Sequence, residues 1–146
     1  MSAHALYGNI RSYLRLTGRV VEREGYFVEA GEEFTIRFSG VNAAYSVNSV
    51  SLPDIVFRNP RVWIEGTVFA SPVGGNRWHR LPDPALYPGE ASSVDVVFKA
   101  DAHSLSYLFI RNELVARARI IADLDQNIFF RIASSPINVQ EEIRPT

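Results

Sequence analysis

A chain of 146 residues, 47% apolar and 21% charged, has the composition of one ordinary globular domain, which excludes a disordered or collagen-like chain. Its formal net charge of −1 exerts no overall pull toward nucleic acid or an anionic membrane, and no apolar run approaches the roughly 20 residues of a spanning helix. With no cysteine, disulfide frameworks, zinc–thiolate sites, iron–sulfur clusters and thiol nucleophiles are excluded.

Residues Met1 to Ser12 mix small, polar and aromatic types without a period and read as an N-terminal arm or a single helical turn; residues 13–146 read as one domain. No signal-peptide-like apolar stretch precedes Arg11 and Arg15, which predicts a protein that stays in the cytoplasm or is built into a particle, with a surface location left open for a fragment of a longer chain. From Tyr13 the dominant period is two, the mark of half-buried strands. Tyr13 to Glu22 sets Leu14, Leu16, Gly18 and Val20 against Arg15, Thr17 and Arg19. Tyr26 to Val28 is a short stretch before the Gly31 turn, and Glu33 to Ser39 places Phe34, Ile36 and Phe38 on one face. Val41 to Leu52, rich in Asn and Ser, reads as a loop, and Ile55 to Phe57 as a short strand.

Arg61 to Ala70 reads as a strand with Val62, Ile64, Val68 and Ala70 inward and Trp63, Glu65, Thr67 and Phe69 outward. Ser71 to Arg80, with Pro72, Gly74, Gly75 and Asn76, is a turn-rich hairpin. Leu81 to Gly89 holds three prolines and is no central strand. Ser92 to Ala100 points Val94, Val96, Phe98 and Ala100 inward. Asp101 to Arg111 is ambiguous, with Leu105, Leu108 and Phe109 placed to lie on one helical turn. Leu114 to Leu124 alternates again, Asp125 to Asn127 turns, and Ile128 to Ala133 returns with Ile128, Phe130 and Ile132 inward before Pro136; Ile137 to Val139 continues the pairing. About seven strands at such spacing predict an all-β, immunoglobulin-like antiparallel sandwich. Its expected core is Phe34, Ile36, Phe38, Val62, Ile64, Val94, Val96, Phe98, Ile120, Leu124, Ile128 and Phe130.

Two segments carry a resemblance. Phe27 to Phe38 reads F-V-E-A-G-E-E-F-T-I-R-F, and Leu86 to Phe98 reads L-Y-P-G-E-A-S-S-V-D-V-V-F. In both, a Gly-Glu pair turns the chain into an alternating strand, and Ala116 to Asp125 followed by Ile128 is similar to a closing hairpin. The chain resembles bacterial immunoglobulin-like modules of the CARDB type and their fibronectin type III-like relatives. The resemblance implies a sandwich fold and an adhesive or spacer role in a larger assembly. The proline-rich Leu81 to Gly89 connection departs from that pattern.

Residues that carry chemistry are sparse. His4, His79 and His103 have no ligand spacing, and no G-x-S-x-G, P-loop or G-x-G-x-x-G pattern occurs. Asp123, Asp125 and Asn127 begin like a calcium loop, but Ile128 stands where glycine is required and Ser134 where the closing glutamate belongs; a turn, or a cation at a loop end, remains. The chain therefore reads as a non-enzyme without a cofactor or resident metal. Fourteen of its fifteen basic residues are Arg, either from coding bias or because a planar multi-donor group serves contacts. Alternation turns Arg15, Arg19, Arg37, Arg61, Arg117, Arg119 and Arg131 outward beside Trp63, Phe69 and Phe129. Aromatics beside Arg match protein interfaces. The sequence thus predicts an interface of Trp63, Phe69, Arg61, Arg117, Arg119, Phe129 and Arg131, with a second copy or a larger assembly as partner. The alternative is a carbohydrate-binding module stacking sugars on Trp63 or Trp78. Neither nucleic acid nor a membrane span is expected.

Overall fold

Alternating side chains lay down eleven strands in the computed structural model, which describes residues 10–21, 27–29, 31–46, 55–101, 110–126 and 128–144, with backbone alone at 27–29, 45–46, 110–113, 125–126, 128–130 and 141–144. They are β1 (Leu14–Val21), β2 (Phe27–Glu29), β3 (Glu33–Asn42), β4 (Phe57–Ile64), β5 (Ala70–Pro72), β6 (Trp78–Arg80), β7 (Ala85–Leu86), β8 (Ala91–Ala100), β9 (Ile110–Gln126), β10 (Ile128–Ala133) and β11 (Ile137–Arg144). The smaller sheet runs β1-β3-β8-β5. The larger runs β2-β11-β9-β4-β6, with β10 on β9 and β7 on β4. Apart from a parallel β2–β11 pair, neighbours are antiparallel. Two packed antiparallel sheets in this order make an immunoglobulin-like β-sandwich.

Both inner faces fill the core. Phe34, Ile36, Phe38, Val96 and Phe98 of the smaller sheet meet Val62, Ile64, Ile120 and Leu124 of the larger, all buried. The Phe34 and Phe98 rings stack at 5.8 Å, and Phe38 tilts against Phe98 at 6.4 Å. Val94 is only partly buried yet packs against the same cluster. The side chains of Ile128 and Phe130 lie outside the described residues. Ile10 is buried against this core, and Arg11 Nε donates to the Ala133 carbonyl at 2.6 Å.

The long strand β9 is the spine of the larger sheet. It pairs with β4 along one side, and with β10 and then β11 along the other. Between Ala133↔Ile121 and Ile137↔Ala118 the second edge carries one extra residue. Ser134 fills the break: its N–H donates to the Ile120 carbonyl at 2.9 Å, and its Oγ accepts from the Ile120 N–H at 3.1 Å.

One expected strand is wrong. Arg61 to Ala70 does not run on as one strand; β4 ends at Ile64 and the chain crosses to the smaller sheet, where β5 pairs with β8. Gly66, at φ 86°, takes a left-handed conformation that side chains rarely adopt. Thr67 Oγ1 then accepts from the Phe69 and Ala70 N–H groups and donates to the Ala70 carbonyl, closing a tight corner. The crossing reverses two assignments. Val68, expected inward, is 73% exposed. Phe69, expected outward as an interface residue, packs against the protein's own core. The supposed loop from Val41 begins with the last residues of β3 and a 3-10 turn, Ala43–Ser46. The ambiguous segment's residues 102–109 lie outside the described residues.

Candidate functional site

Four strands place the outward Arg and Trp side chains on one surface, the outer face of the larger sheet. Antiparallel pairing of β4 with β6 sets Arg61 opposite Arg80 and Trp63 opposite Trp78. Pairing of β4 with β9 sets Trp63 opposite Arg119 and Arg58 opposite Asp123, and Arg131 of β10 stands beyond Asp123. Residues two apart on a strand share a face, so these form successive transverse rows.

The two rings meet at centroids 4.7 Å apart, tilted by 48°. Such a cross-strand aromatic pair contributes about 0.5–1.5 kcal/mol beyond area burial. Trp63 is half-buried, and Trp78 is 43% exposed. The Arg61 guanidinium lies 5.8 Å from the Trp78 ring centroid, within cation–π range. Arg61, Trp78, Arg80 and Arg131 line a shallow depression of about 250 Å³.

Charge is balanced unevenly over this face. Glu65, just past the end of β4, accepts from both neighbouring arginines of β9: Arg119 at 2.5 and 2.7 Å, and Arg117 at 3.0 Å. Asp123 takes only a long contact from Arg61, at 3.5 Å, and the other prong of Arg61 donates to the Asn59 carbonyl at 2.8 Å. Arg80 and Arg131 are exposed and have no acidic partner among the described residues. Two like charges directly opposite on paired strands, as at Arg61 and Arg80, destabilise a sheet.

No protein-family model matches the sequence, and no curated protein matches it. Solved structures do. The structural-genomics target SoR45 is 10% identical over 89% of this chain and 88% of that one, with a TM-score of 0.40. AvmM, described as catalysing macrocyclization in alchivemycin A biosynthesis, is 10% identical over 90% and 89%, with a TM-score of 0.39. The CARDB domain of a Pyrococcus furiosus protein, solved with two metal ions, is 13% identical over 92% and 90%, with a TM-score of 0.36. The chain resembles a CARDB domain.

Of the residues expected to act together, the structure brings Arg61, Trp63, Arg117, Arg119 and Arg131 onto one face with Trp78. Phe69 is not among them. Phe129 stands on β10 opposite Asp125, but its side chain lies outside the described residues. Arg15, Arg19 and Arg37 belong to β1 and β3 of the other sheet. Arg80 and the organising role of Glu65 were missed, although W-H-R at 78–80 mirrors R-V-W at 61–63. Two such triplets paired antiparallel put Arg on Arg and Trp on Trp.

Of the three residues that begin like a calcium loop, only the Asp123 side chain lies among the described residues. Asp123 faces Arg61, and among the described residues no three His, Asp or Glu side chains converge. The Asp125 side chain and Asn127 lie outside them, as do His4 and His103. The His79 Nε2 sits 2.8 Å from the Asn76 carbonyl, a contact within the hairpin turn. No helix among the described residues is long and apolar enough to cross a membrane.

Proposed function

We propose that this chain is a non-catalytic β-sandwich module that assembles with further copies of itself through the outer face of its larger sheet. The observation that carries this reading is the Trp63–Trp78 pair, half-buried and exposed respectively, set among arginines, since Trp and Arg are enriched among the residues that dominate the energetics of protein interfaces. Charge favours a head-to-tail contact. The described side chains Arg58, Arg61, Arg80, Arg117, Arg119 and Arg131 outnumber Glu65 and Asp123 on this face by four. The whole chain is −1, so the rest of it is net −5, the difference between −1 and +4. Placing this face on its own copy would oppose guanidinium to guanidinium. Placing it on an acidic stretch of a second copy pairs opposite charges, and such a heterologous contact propagates into a ring or an open chain.

The sugar-stacking reading has less support. Trp78 is tilted against Trp63 and carries the Arg61 guanidinium, so neither ring offers a bare, flat platform.

Sedimentation velocity tests the proposal. At tens of micromolar in low salt the wild type should sediment as a concentration-dependent oligomer. Trp78→Ser should remain folded and shift to monomer. Raising ionic strength to about 1 M shortens the screening length to about 3 Å and should also dissociate it. A wild type that stays monomeric throughout overturns the assembly.

A further inference from the structure

We infer that the depression between Arg61, Arg80 and Arg131 is a carboxylate-binding site that receives the acidic side chains of a docking protein segment. The inference deepens the function proposed above, because it names the chemistry that the face recognises on its partner.

Three observations converge. The first is the Arg61–Arg80 juxtaposition, two arginines in direct cross-strand register. Like charges there cost free energy in the isolated sheet, and an anion placed between them removes that cost. The second is the contrast within one face. Arg117 and Arg119 share the Glu65 carboxylate at short range. Around the depression, the Arg61–Asp123 contact is longer, at 3.5 Å, and Arg80 and Arg131 have no acid among the described residues. The third is the wall. Trp78 lines the same depression, and its apolar ring keeps water from one side, where a charge-assisted hydrogen bond gains strength as the local dielectric falls.

A guanidinium fork matches a carboxylate in a bidentate geometry, and it matches a phosphate equally well. The surroundings decide between them. A nucleic-acid backbone needs a continuous positive track, whereas Asp123 and Glu65 interrupt this face on the same strands. A protein segment carrying one or two carboxylates fits the short positive interval. The sixteen acidic residues of the chain supply such groups on a second copy.

The two tryptophans of the chain are Trp63 and Trp78, which pack on each other, so fluorescence excited selectively in tryptophan reports this face. The full chain, diluted until monomeric, is titrated with a short glutamate-rich peptide, its glutamine counterpart, inorganic phosphate and a single-stranded oligonucleotide. The glutamate peptide alone should give a saturable change. Arg80→Gln and Arg131→Gln should each weaken it about ten-fold or more, while Arg15→Gln on the other sheet should leave it unaltered. Unchanged circular dichroism certifies that each variant is folded. No saturable change, an equal response to the glutamine peptide, or equally tight binding of phosphate or the oligonucleotide overturns the inference. Peptide binding by a wild type that never self-associates would retain this site and reject the self-assembly. An oligomer indifferent to the peptide would do the reverse.

Discussion

Arg37 grips Asp95 across β3 and β8 with both prongs of its guanidinium, Nε to Oδ1 at 2.8 Å and a terminal nitrogen to Oδ2 at 3.0 Å. These hydrogen bonds, aided by the charge of Arg37 and of its register neighbour Arg19, hold the Asp95 carboxyl below the usual carboxylate range. The direction fixes a pH dependence. A carboxylate whose folded pKa is depressed stabilises the protein above its unfolded pKa of about 3.9. That contribution is lost as pH falls through the lower folded value. Both side chains are substantially exposed, so the effect on stability is small. Following the Asp95 carboxyl by NMR should give a midpoint below the ordinary range, and Arg37→Ala should bring it back.

Gly40 faces the core from β3 with no room to spare. A Cβ there would collide with the Ile120 Cδ1 and come within 2.8 Å of the Leu81 Cδ1. Both neighbours are buried, so neither side chain yields freely. Gly40→Ala should destabilise by about 1–3 kcal/mol, the usual cost of overpacking a filled core. The check is a lower denaturation midpoint at an unchanged denaturant slope. The paired variant Gly40→Ala with Ile120→Val should recover part of the loss, because it removes the methyl that meets the new one.

What the sequence disclosed follows from where its period held. Phe34, Ile36 and Phe38, or Val96 and Phe98, alternate on strands with one face buried and the other wet, and each was placed correctly. The reading failed where two short strands in different sheets share one alternating stretch. Val62, Ile64, Val68 and Ala70 keep strict period two through the crossing. Only Gly66 hints that the chain turns there, and glycine alone does not say which way. Short strands were also invisible. Ala85–Leu86 sits among prolines, and Trp78–Arg80 is too brief to show a period. For the site, the outward arginines of β4 and β9 were legible as alternation. Arg80 emerges only once β6 is laid against β4, since register is a property of the pair and not of either strand.

Asn42 closes the end of β3 as a buried polar hub that a loop-like, Asn-rich composition concealed. Its Nδ2 donates to the Ile55 carbonyl at 2.7 Å and the Leu86 carbonyl at 2.9 Å, and its Oδ1 accepts from the Ala44 N–H at 3.0 Å. One side chain thus ties β3 to β7 and to the entry of β4. Asn42→Ala strands those backbone groups, each at about 1–3 kcal/mol if water does not replace the lost partner. Thermal melts should show a marked loss for Asn42→Ala. Asn42→Asp should be damaging too, because a carboxylate offers no donor to either carbonyl. Equal stability of all three proteins would mean that water enters and satisfies the carbonyls.

Glu65 separates the arginines of the Arg–Trp face that share an acid from Arg80 and Arg131, where the proposed partner would dock. It is the acid that Arg117 and Arg119 share. Removing its charge by Glu65→Gln leaves two guanidiniums without their carboxylate and raises the surplus on the face by one. Partly exposed ion pairs contribute about 0–1 kcal/mol each, so the fold should survive with a small loss of stability. Association should respond more. If the face docks on acidic surface, Glu65→Gln should bind a glutamate-rich peptide more tightly in low salt and self-associate at lower concentration. Salt should then dissociate it more steeply than the wild type. The opposite sign is equally informative. Weaker association by a folded Glu65→Gln would mean that Glu65 holds Arg117 and Arg119 in the arrangement that docks. Peptide titration and sedimentation of this single variant, at two salt concentrations, therefore separate a face that works by net charge from one that works by the fixed placement of its arginines.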